Sequence, residues 1–462
     1  MDKFKQLLSN TFIFAVGNVL TKLMLFFLMP LYTTTLTTAE FGISDLLNNT
    51  IELLLPIFTL SIIEAVFRFS LDKDADHKGV LTLGLSILTI GFILIVILVS
   101  IGNYFIKYEY AWYLVFMFIT YALKYLLASF TRGLGYVKIF ALNGIVSTII
   151  LVILNILFLM VFNWGIHGYL LAIIISNFFG AIYLFFVAKL YLYIKINNIN
   201  KKLLKEMLVF SLPNIPNLLS WWVVNISSRY IIIIFYGASI AGLFSAASKL
   251  PSMINLLSAI FQQAWQYSSS KEYGKDDSHQ FFSNVFKYYS AFIMVSCSGL
   301  IMMTPFISKI LLKGDFYMAW TYVPLLLFSA TLGCYSVFFG TFYIASKKNF
   351  MAMISTIIGG IVNLIICFTL VPNIGVKGVL YASVLSYFVI VVIRIIDTRK
   401  YVNINIHWAT LIIGLCILFC QANIIMTDIP FKLEISVFLF FLVSIIIIIT
   451  IYKDIINIKK KQ

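Results

Sequence analysis

The sequence predicts an all-α integral membrane protein of about fourteen transmembrane helices, arranged as two parallel six-helix repeats plus two extra C-terminal helices. Three observations carry this reading. The 462-residue chain is 61% hydrophobic and only 11% charged, more apolar surface than a soluble core can hide. Aliphatic stretches such as "FLFFLVSIIIIITIY" at 438–452 run on with little alternation, which suits spanning helices rather than barrel strands. Finally, "NWGIHGYLLAIIIS" at 163–176 returns as "NIGVKGVLYASVLS" at 373–386, with Asn163/Asn373, Gly165/Gly375, Gly168/Gly378, Leu170/Leu380, Ala172/Ala382 and Ser176/Ser386 identical at an offset of 210.

The first segment, 11–36, reads as a retained helix. Its apolar run contains Asn18 and Lys22 and lacks an A-x-A-like cleavage site, so it makes a poor signal peptide. Segments follow at 41–66, 79–102, 110–131, 139–161 and 168–190, each long enough to cross about 30 Å of hydrocarbon. A Lys- and Asn-rich stretch, 191–207, then divides the chain. The second series runs 208–236, 241–267, 284–308, 318–345, 351–371 and 378–396, and two more segments lie at 407–426 and 433–452. Pro213 and Pro216 break the entry to segment seven, as prolines do where a helix lines protein or water.

Charge supports the count. With the N-terminus in the cytoplasm and one crossing per segment, 24 of the 33 Lys and Arg fall on the cytoplasmic side. Five fall outside, and Lys22, Lys124, Arg229 and Lys249 lie deep within segments; Lys189, Lys287 and Arg394, near cytoplasmic segment ends, are counted with the cytoplasmic side. One segment more or fewer scrambles this asymmetry. The net charge of +15 is then accounted for by basic loops at an anionic inner leaflet and calls for no nucleic acid. The expected location is the cytoplasmic membrane, multi-pass, with both termini inside.

The repeat extends beyond its most obvious copy. "VILNILF" around Asn155 echoes "GIVNLII" around Asn363 at an offset of 208, and Gly42 matches Gly242 at 200. The expected lobes are 1–200 and 201–400, with 401–462 holding the last two helices and a basic cytoplasmic tail. Six crossings per half give both halves one orientation, and in such parallel repeats a substrate path tends to lie between the halves. The shared N-x-G-x-x-G is also ordinary loop chemistry.

Polar residues inside spans are costly and mark a bundle interior or a wet cavity. Asp45, Asn48, Asn49 and Glu52 fall at i, i+3, i+4 and i+7, one helix face. Ser245, Ser248, Lys249 and Ser252 have the same spacing at the 200 offset, and Gln262 and Gln263 continue the polarity. Segment one adds Asn18 and Lys22; segment seven adds Asn225, Ser227, Ser228 and Arg229. The alternative is polar helix packing without a cavity. Glu64 and Arg68, one turn apart, read as an interfacial ion pair or a cytoplasmic gate. Lys124, with Arg132 beyond it, reads as a snorkelling pair, and Trp112, Trp164, Trp221 and Trp222 as interfacial anchors. Cys297, Cys334, Cys367, Cys416 and Cys420 lie in apolar runs without a His cluster, so no metal site and no cofactor are expected. Phosphate-loop, G-x-S-x-G and H-E-x-x-H motifs are missing, and the short outer loops offer no room for the catalytic loop of a polysaccharide polymerase or ligase. An enzyme is therefore not expected.

Three blocks, "GNVLTKLMLFFLMPLYTTTLTTAEFGISDLL", "FSLPNIPNLLSWWVVNISSRYIIIIFYGASIAGLFSAASKL" and "GVKGVLYASVLS", resemble the polysaccharide flippases (Wzx type, serving O-antigen or capsule) of the multidrug/oligosaccharidyl-lipid/polysaccharide (MOP) superfamily. The resemblance covers most of segments one to twelve. It implies a V-shaped two-lobe transporter that moves an undecaprenyl-pyrophosphate-linked oligosaccharide across the cytoplasmic membrane, often coupled to a cation gradient. Segments one, two, seven and eight would line its cavity. Partners implied are that glycan, membrane lipids, and the polysaccharide polymerase and chain-length machinery. On this reading Lys22, Arg229 and Lys249 hold the pyrophosphate, while Asn18, Asn48, Asn49, Asn225 and Ser252 meet sugar hydroxyls. Asp45 and Glu52 balance charge or carry a coupling proton. Many such flippases have twelve helices; fourteen is similar to the lipid II flippases. A multidrug or cation antiporter of the same fold is the alternative, against which stands a segment one with Lys22 and no acid.

Overall fold

In the computed structural model, residues 21–459 are described apart from 22, 25, 72–74, 195–199, 274–277 and 347–349, and without the side chains of 263, 264, 267, 270, 271 and 452–459. Every described element is helical. The chain divides into two compact units that meet between Trp222 and Val223.

The first unit holds α1 (Met29–Thr35), α2 (Thr38–Phe58), α3 (Ile62–Ser70), α4 (His77–Ile106), α5 (Ala111–Gly133), α6 (Val137–Asn155, prolonged by a π-helical turn Ile156–Val161), α7 (Gly165–Val187) and α8 (Lys201–Ser211). It also takes in the start of α9 (Asn214–Ala247). The remainder of α9 belongs to the second unit, with α10 (Ser252–Glu272), α11 (Ser278–Leu311), α12 (Val323–Ala345, preceded by a 3₁₀ turn Gly314–Tyr322), α13 (Phe350–Ile374), α14 (Val376–Thr398), α15 (Trp408–Ile425) and α16 (Lys432–Lys459).

Among the described residues, eleven helical stretches are long and apolar enough to cross a membrane, or twelve when the bent pair α2–α3 counts as one. Two of the fourteen expected segments account for the rest. Segment one is described only in its second half, which holds α1, and segment eight is divided between the end of α9 and α10.

Both breaks have local causes. At the start of α2, Thr37 and Glu40 form a reciprocal capping box, which satisfies two helix-end donors. Near its other end Pro56 supplies no N–H, and Leu60 and Ser61 turn into the left-handed region at φ 52° and 51°. The helix bends by 67°, so the single span expected over 41–66 is two helices. Gly91 of α4 lies so close to the Phe58 carbonyl that a Cβ would overlap it. In the second unit, Gly237 (φ 79°, ψ 178°) interrupts α9 between segments seven and eight. Residues 248–251 then form a turn rather than a helix; Pro251 cannot donate to the ladder.

The two units repeat one packing order. α5 packs on α3, α4 and α7, and α7 on α6; α12 packs on α10, α11 and α14, and α14 on α13. The helices that carry the Asn155/Asn363 echo, α6 and α13, hold equivalent places. Their likeness is longer than the echo suggests: Ser147-Thr148-Ile149-Ile150 matches Ser355-Thr356-Ile357-Ile358 at the same offset of 208. The N-x-G-x-x-G copies are turn chemistry in both units. Gly165 and Gly375 adopt φ 53° and 67°, where a Cβ is disfavoured. Gly168 and Gly378 press against Phe158 and against the Leu370–Val371 backbone. Each turn is stapled by its own unit: Ile166 N donates to Glu40 Oε1 at 3.3 Å, and Tyr236 Oη to Val371 O at 2.9 Å.

α15 and α16 pack on α11. Their tie is a buried node in which Gln421 Nε2 donates to Ser298 O, Ser436 O and Ser436 Oγ, while Ser298 Oγ donates to Gln421 Oε1 at 2.7 Å.

Candidate functional site

In the first unit the polar stripe Asp45, Asn48, Asn49, Glu52 lies on one uninterrupted stretch of α2. Asp45 is 8% exposed and accepts from Asn49 Nδ2 at 2.8 Å. It also faces the phenol of Tyr169 on α7. Asn48 Nδ2 turns back on Ser44 O at 2.9 Å. Trp222 Nε1 donates to the Asn49 carbonyl at 2.9 Å. Glu52 is exposed, with Tyr121 as a neighbour. The Asp45 end of the stripe is thus packed and bonded, and the Glu52 end is exposed. Asn18 and Lys22 lie outside the described residues.

The stripe expected in the second unit is corrected. Ser245 is buried in the last turns of α9, Ser248 and Lys249 sit in the turn, and exposed Ser252 begins α10. These four residues do not share one helix face. Ser248 Oγ donates to Phe244 O, and Ser252 Oγ to Lys249 O. The break leaves Lys249 half-buried on an irregular piece of backbone. Gln262 is buried on α10, and the Gln263 side chain lies outside the described residues.

Segment seven also divides its polar residues by role. Tyr387 Oη donates to Asn225 Oδ1 at 2.6 Å, and Ser227 and Ser228 donate to Asn363 Oδ1 at 3.5 and 3.3 Å. With the Tyr236 staple, these bonds tie α9 to α13 and α14 along its length. Arg229 instead returns to its own helix, Nη1 to Asn225 O at 2.9 Å, with its guanidinium 5.9 Å from the Phe244 ring centroid.

Glu64 and Arg68 stay one turn apart, while the expectations for Lys124 with Arg132 and for Arg394 change. Glu64 and Arg68 lie on the short α3, beyond the bend, and Glu64 accepts from Tyr125 Oη at 3.2 Å. Lys124 does not snorkel: its Nζ reaches across to Asn177 Oδ1 on α7 at 3.2 Å, in space that the missing side chain of Gly180 leaves open. Arg132 packs over Phe67 at 3.8 Å and Phe140 at 5.7 Å. Arg394 was counted with the cytoplasmic charges, yet it is 3% exposed. It donates to Ser355, Ser336, Ala352 and Thr356 at 2.7–3.2 Å, joining α12, α13 and α14. Its signal in the sequence was Gly340, whose absent Cβ would meet the guanidinium, together with the Ser355-Thr356 pair. Among the described residues no cluster of His, Cys, Asp and Glu suits a metal ion.

This arrangement of helices is similar to that of solved MOP-superfamily proteins. A lipid II flippase MurJ in an inward closed conformation matches with a TM-score of 0.71 and 14% identity, over 96% of this chain and 100% of that one. An inward-facing multidrug resistance MATE family transporter matches at 0.63 and 13%, over 84% and 98%. A MOP-superfamily transporter from Pyrococcus furiosus matches at 0.59 and 13%, over 85% and 94%. At these identities the likeness concerns the fold. No curated protein is significantly similar in sequence. The family described as polysaccharide biosynthesis protein matches residues 7–267, more than half of the chain, and the chain belongs to that family. It is a multi-pass membrane protein by its apolar helices, and its fold is similar to that of solved transporters.

Proposed function

We propose that the protein moves an undecaprenyl-pyrophosphate-linked oligosaccharide across the cytoplasmic membrane by alternating access, with an ion gradient as the energy source. The observation that carries this reading is the placement of Arg229 and Lys249. Both are cations on the apolar segments seven and eight, on either side of the Gly237 interruption, in a chain of the polysaccharide biosynthesis family. A pyrophosphate is anionic and costly to carry through hydrocarbon. Fixed cations replace its lost hydration, and a low dielectric strengthens each contact. Arg229 suits bidentate contact with phosphate oxygens, Lys249 a mobile point charge. Lys22 on segment one completes the set. Asn18, Asn48, Asn49, Asn225 and Ser252 are the proposed sugar contacts; Asn225 must leave Tyr387 to take one. Asp45 and Glu52 balance the charge or carry the coupling proton, and Glu64 with Arg68 guards the cytoplasmic end. Both termini face the cytoplasm, and polymerase and chain-length proteins receive the product.

Glycan export by cells carrying Arg229→Gln, Lys249→Gln or the triple change with Lys22→Gln tests the assignment. Export is expected to fail while membrane abundance stays level, and Arg229→Lys is expected to be partly active. Full export in the triple variant rejects the pyrophosphate site. The second reading, a multidrug or cation antiporter, is favoured by the acids Asp45 and Glu52. It predicts that Asp45→Asn abolishes drug resistance conferred by the wild type and leaves glycan export untouched.

A further inference from the structure

In the second unit, α11, α15 and α16 are drawn together at one depth and stand apart at another. Gly414 lets α15 approach Met294 of α11 so closely that a Cβ would press on its sulfur. Further along, the Gln421–Ser298–Ser436 node fastens the same three helices. Toward the start of α11 and α15 and the end of α16, a shallow groove open to its surroundings is lined by all three helices.

Its chemistry is graded along its length. The floor is Phe286, Met294, Leu411 and Ile447, all buried. Above them, Thr410 and Thr450 share a 3.1 Å hydrogen bond that bridges α15 and α16. The mouth carries Asn405, His407 and the half-buried Lys287. Among the described lining residues two are basic and none is acidic. Beside the mouth, Arg399 stands 5.5 Å from the Trp408 ring centroid, so the rim is basic as well. The charge asymmetry of the sequence puts this end of the three helices on the cytoplasmic side.

An apolar slot that ends in hydroxyls and then in cations matches one molecule part by part. An acyl chain lies along the apolar floor, a glycerol backbone meets the threonines, and a phosphate meets Lys287. We propose that this groove holds an anionic phospholipid of the inner leaflet, and that the lipid wedges the C-terminal helix pair against α11. The site does not depend on which substrate the transporter carries, nor on Arg229 or Lys249.

The test is native mass spectrometry of the full-length protein, purified and exchanged into detergent with equal amounts of phosphatidylglycerol and phosphatidylcholine of matched chains. The wild type is expected to retain one phosphatidylglycerol in preference. Lys287→Gln should lower that preference about fivefold, the effect of one basic side chain at an anionic head group, and Lys287→Arg should restore it. Lys432→Gln, at the opposite end of α16, serves as the control and should retain lipid as the wild type does. Circular dichroism and gel filtration confirm that each variant is folded. Equal retention of the two lipids by the wild type, or undiminished preference in Lys287→Gln, overturns the proposal. So does displacement of phosphatidylglycerol by a polyprenyl phosphate added at equal concentration, because the groove would then belong to a different lipid.

Discussion

Arg394 shows what a buried charge costs and secures. A guanidinium loses its hydration on burial and is tolerated only when its donors are matched; here the backbone and hydroxyls of three helices match them. Arg394→Leu removes the charge but leaves Ser336, Ser355 and Thr356 without their donor. Leaving a buried neutral acceptor unsatisfied costs about 1–3 kcal/mol. The expected result is a lower melting temperature in detergent and reduced abundance in the membrane, with Arg394→Lys recovering only part of both because one ammonium cannot span the same partners. An Arg394→Leu variant as stable as the wild type contradicts this role. Asn363 and Asn155 make a similar point. They are the same residue in the same repeat position, both fully buried, and in the second unit the amide carbonyl receives two serines.

At the scale of an element, the bend between α2 and α3 concentrates strain in two residues. Leu60 and Ser61 hold left-handed dihedrals without being glycine, at about 1–2 kcal/mol each. Leu60→Gly should therefore raise thermal stability by about 1 kcal/mol despite the lost apolar contact. Gly91→Ala should lower it, because the new methyl meets the Phe58 carbonyl. Thermal unfolding followed by fluorescence distinguishes the two, and an unchanged Gly91→Ala variant would show that α4 has room to move. The elements themselves were legible in the sequence, since apolar length and composition set the spans. The breaks were less so. Pro56 and Pro251 were visible, but a proline inside a spanning helix is compatible with a smooth course, a bend or a turn. Neighbouring contacts decide which, and the spacing rule that placed Ser245 and Ser252 on one face assumed an unbroken helix. Lys124 and Arg394 were misplaced for a related reason. Hydropathy locates a residue along the membrane normal and does not tell which way its side chain turns, so a partner such as Asn177, more than fifty positions away, was invisible.

For the whole molecule, the repeat is the property that sequence and structure share most fully. Identical residues lie at turns and buried contacts, where backbone geometry allows few substitutes, while Arg229 and Lys249 have no cationic match at the 200 offset. The topology inferred from charge has a direct check. In a variant lacking the five native cysteines, a single cysteine at Asn403 should resist an impermeant thiol reagent in intact cells, and one at Asp428 should react. Both positions are exposed loop residues flanking α15. The reverse pattern inverts the orientation, and equal labelling of both places α15 other than across the membrane.

The Gln421 node also bears on how the protein is made. Ser298 enters the bilayer early, on α11, and its partner Gln421 follows only when α15 is synthesised; Ser436 completes the set on α16. Until then a buried hydroxyl position of α11 faces lipid or a transient neighbour, and an uncompensated polar group in hydrocarbon is unfavourable. The second unit is thus unfinished until α16 has been synthesised. A nascent chain stalled after α14 would leave Ser298 without its Gln421 partner.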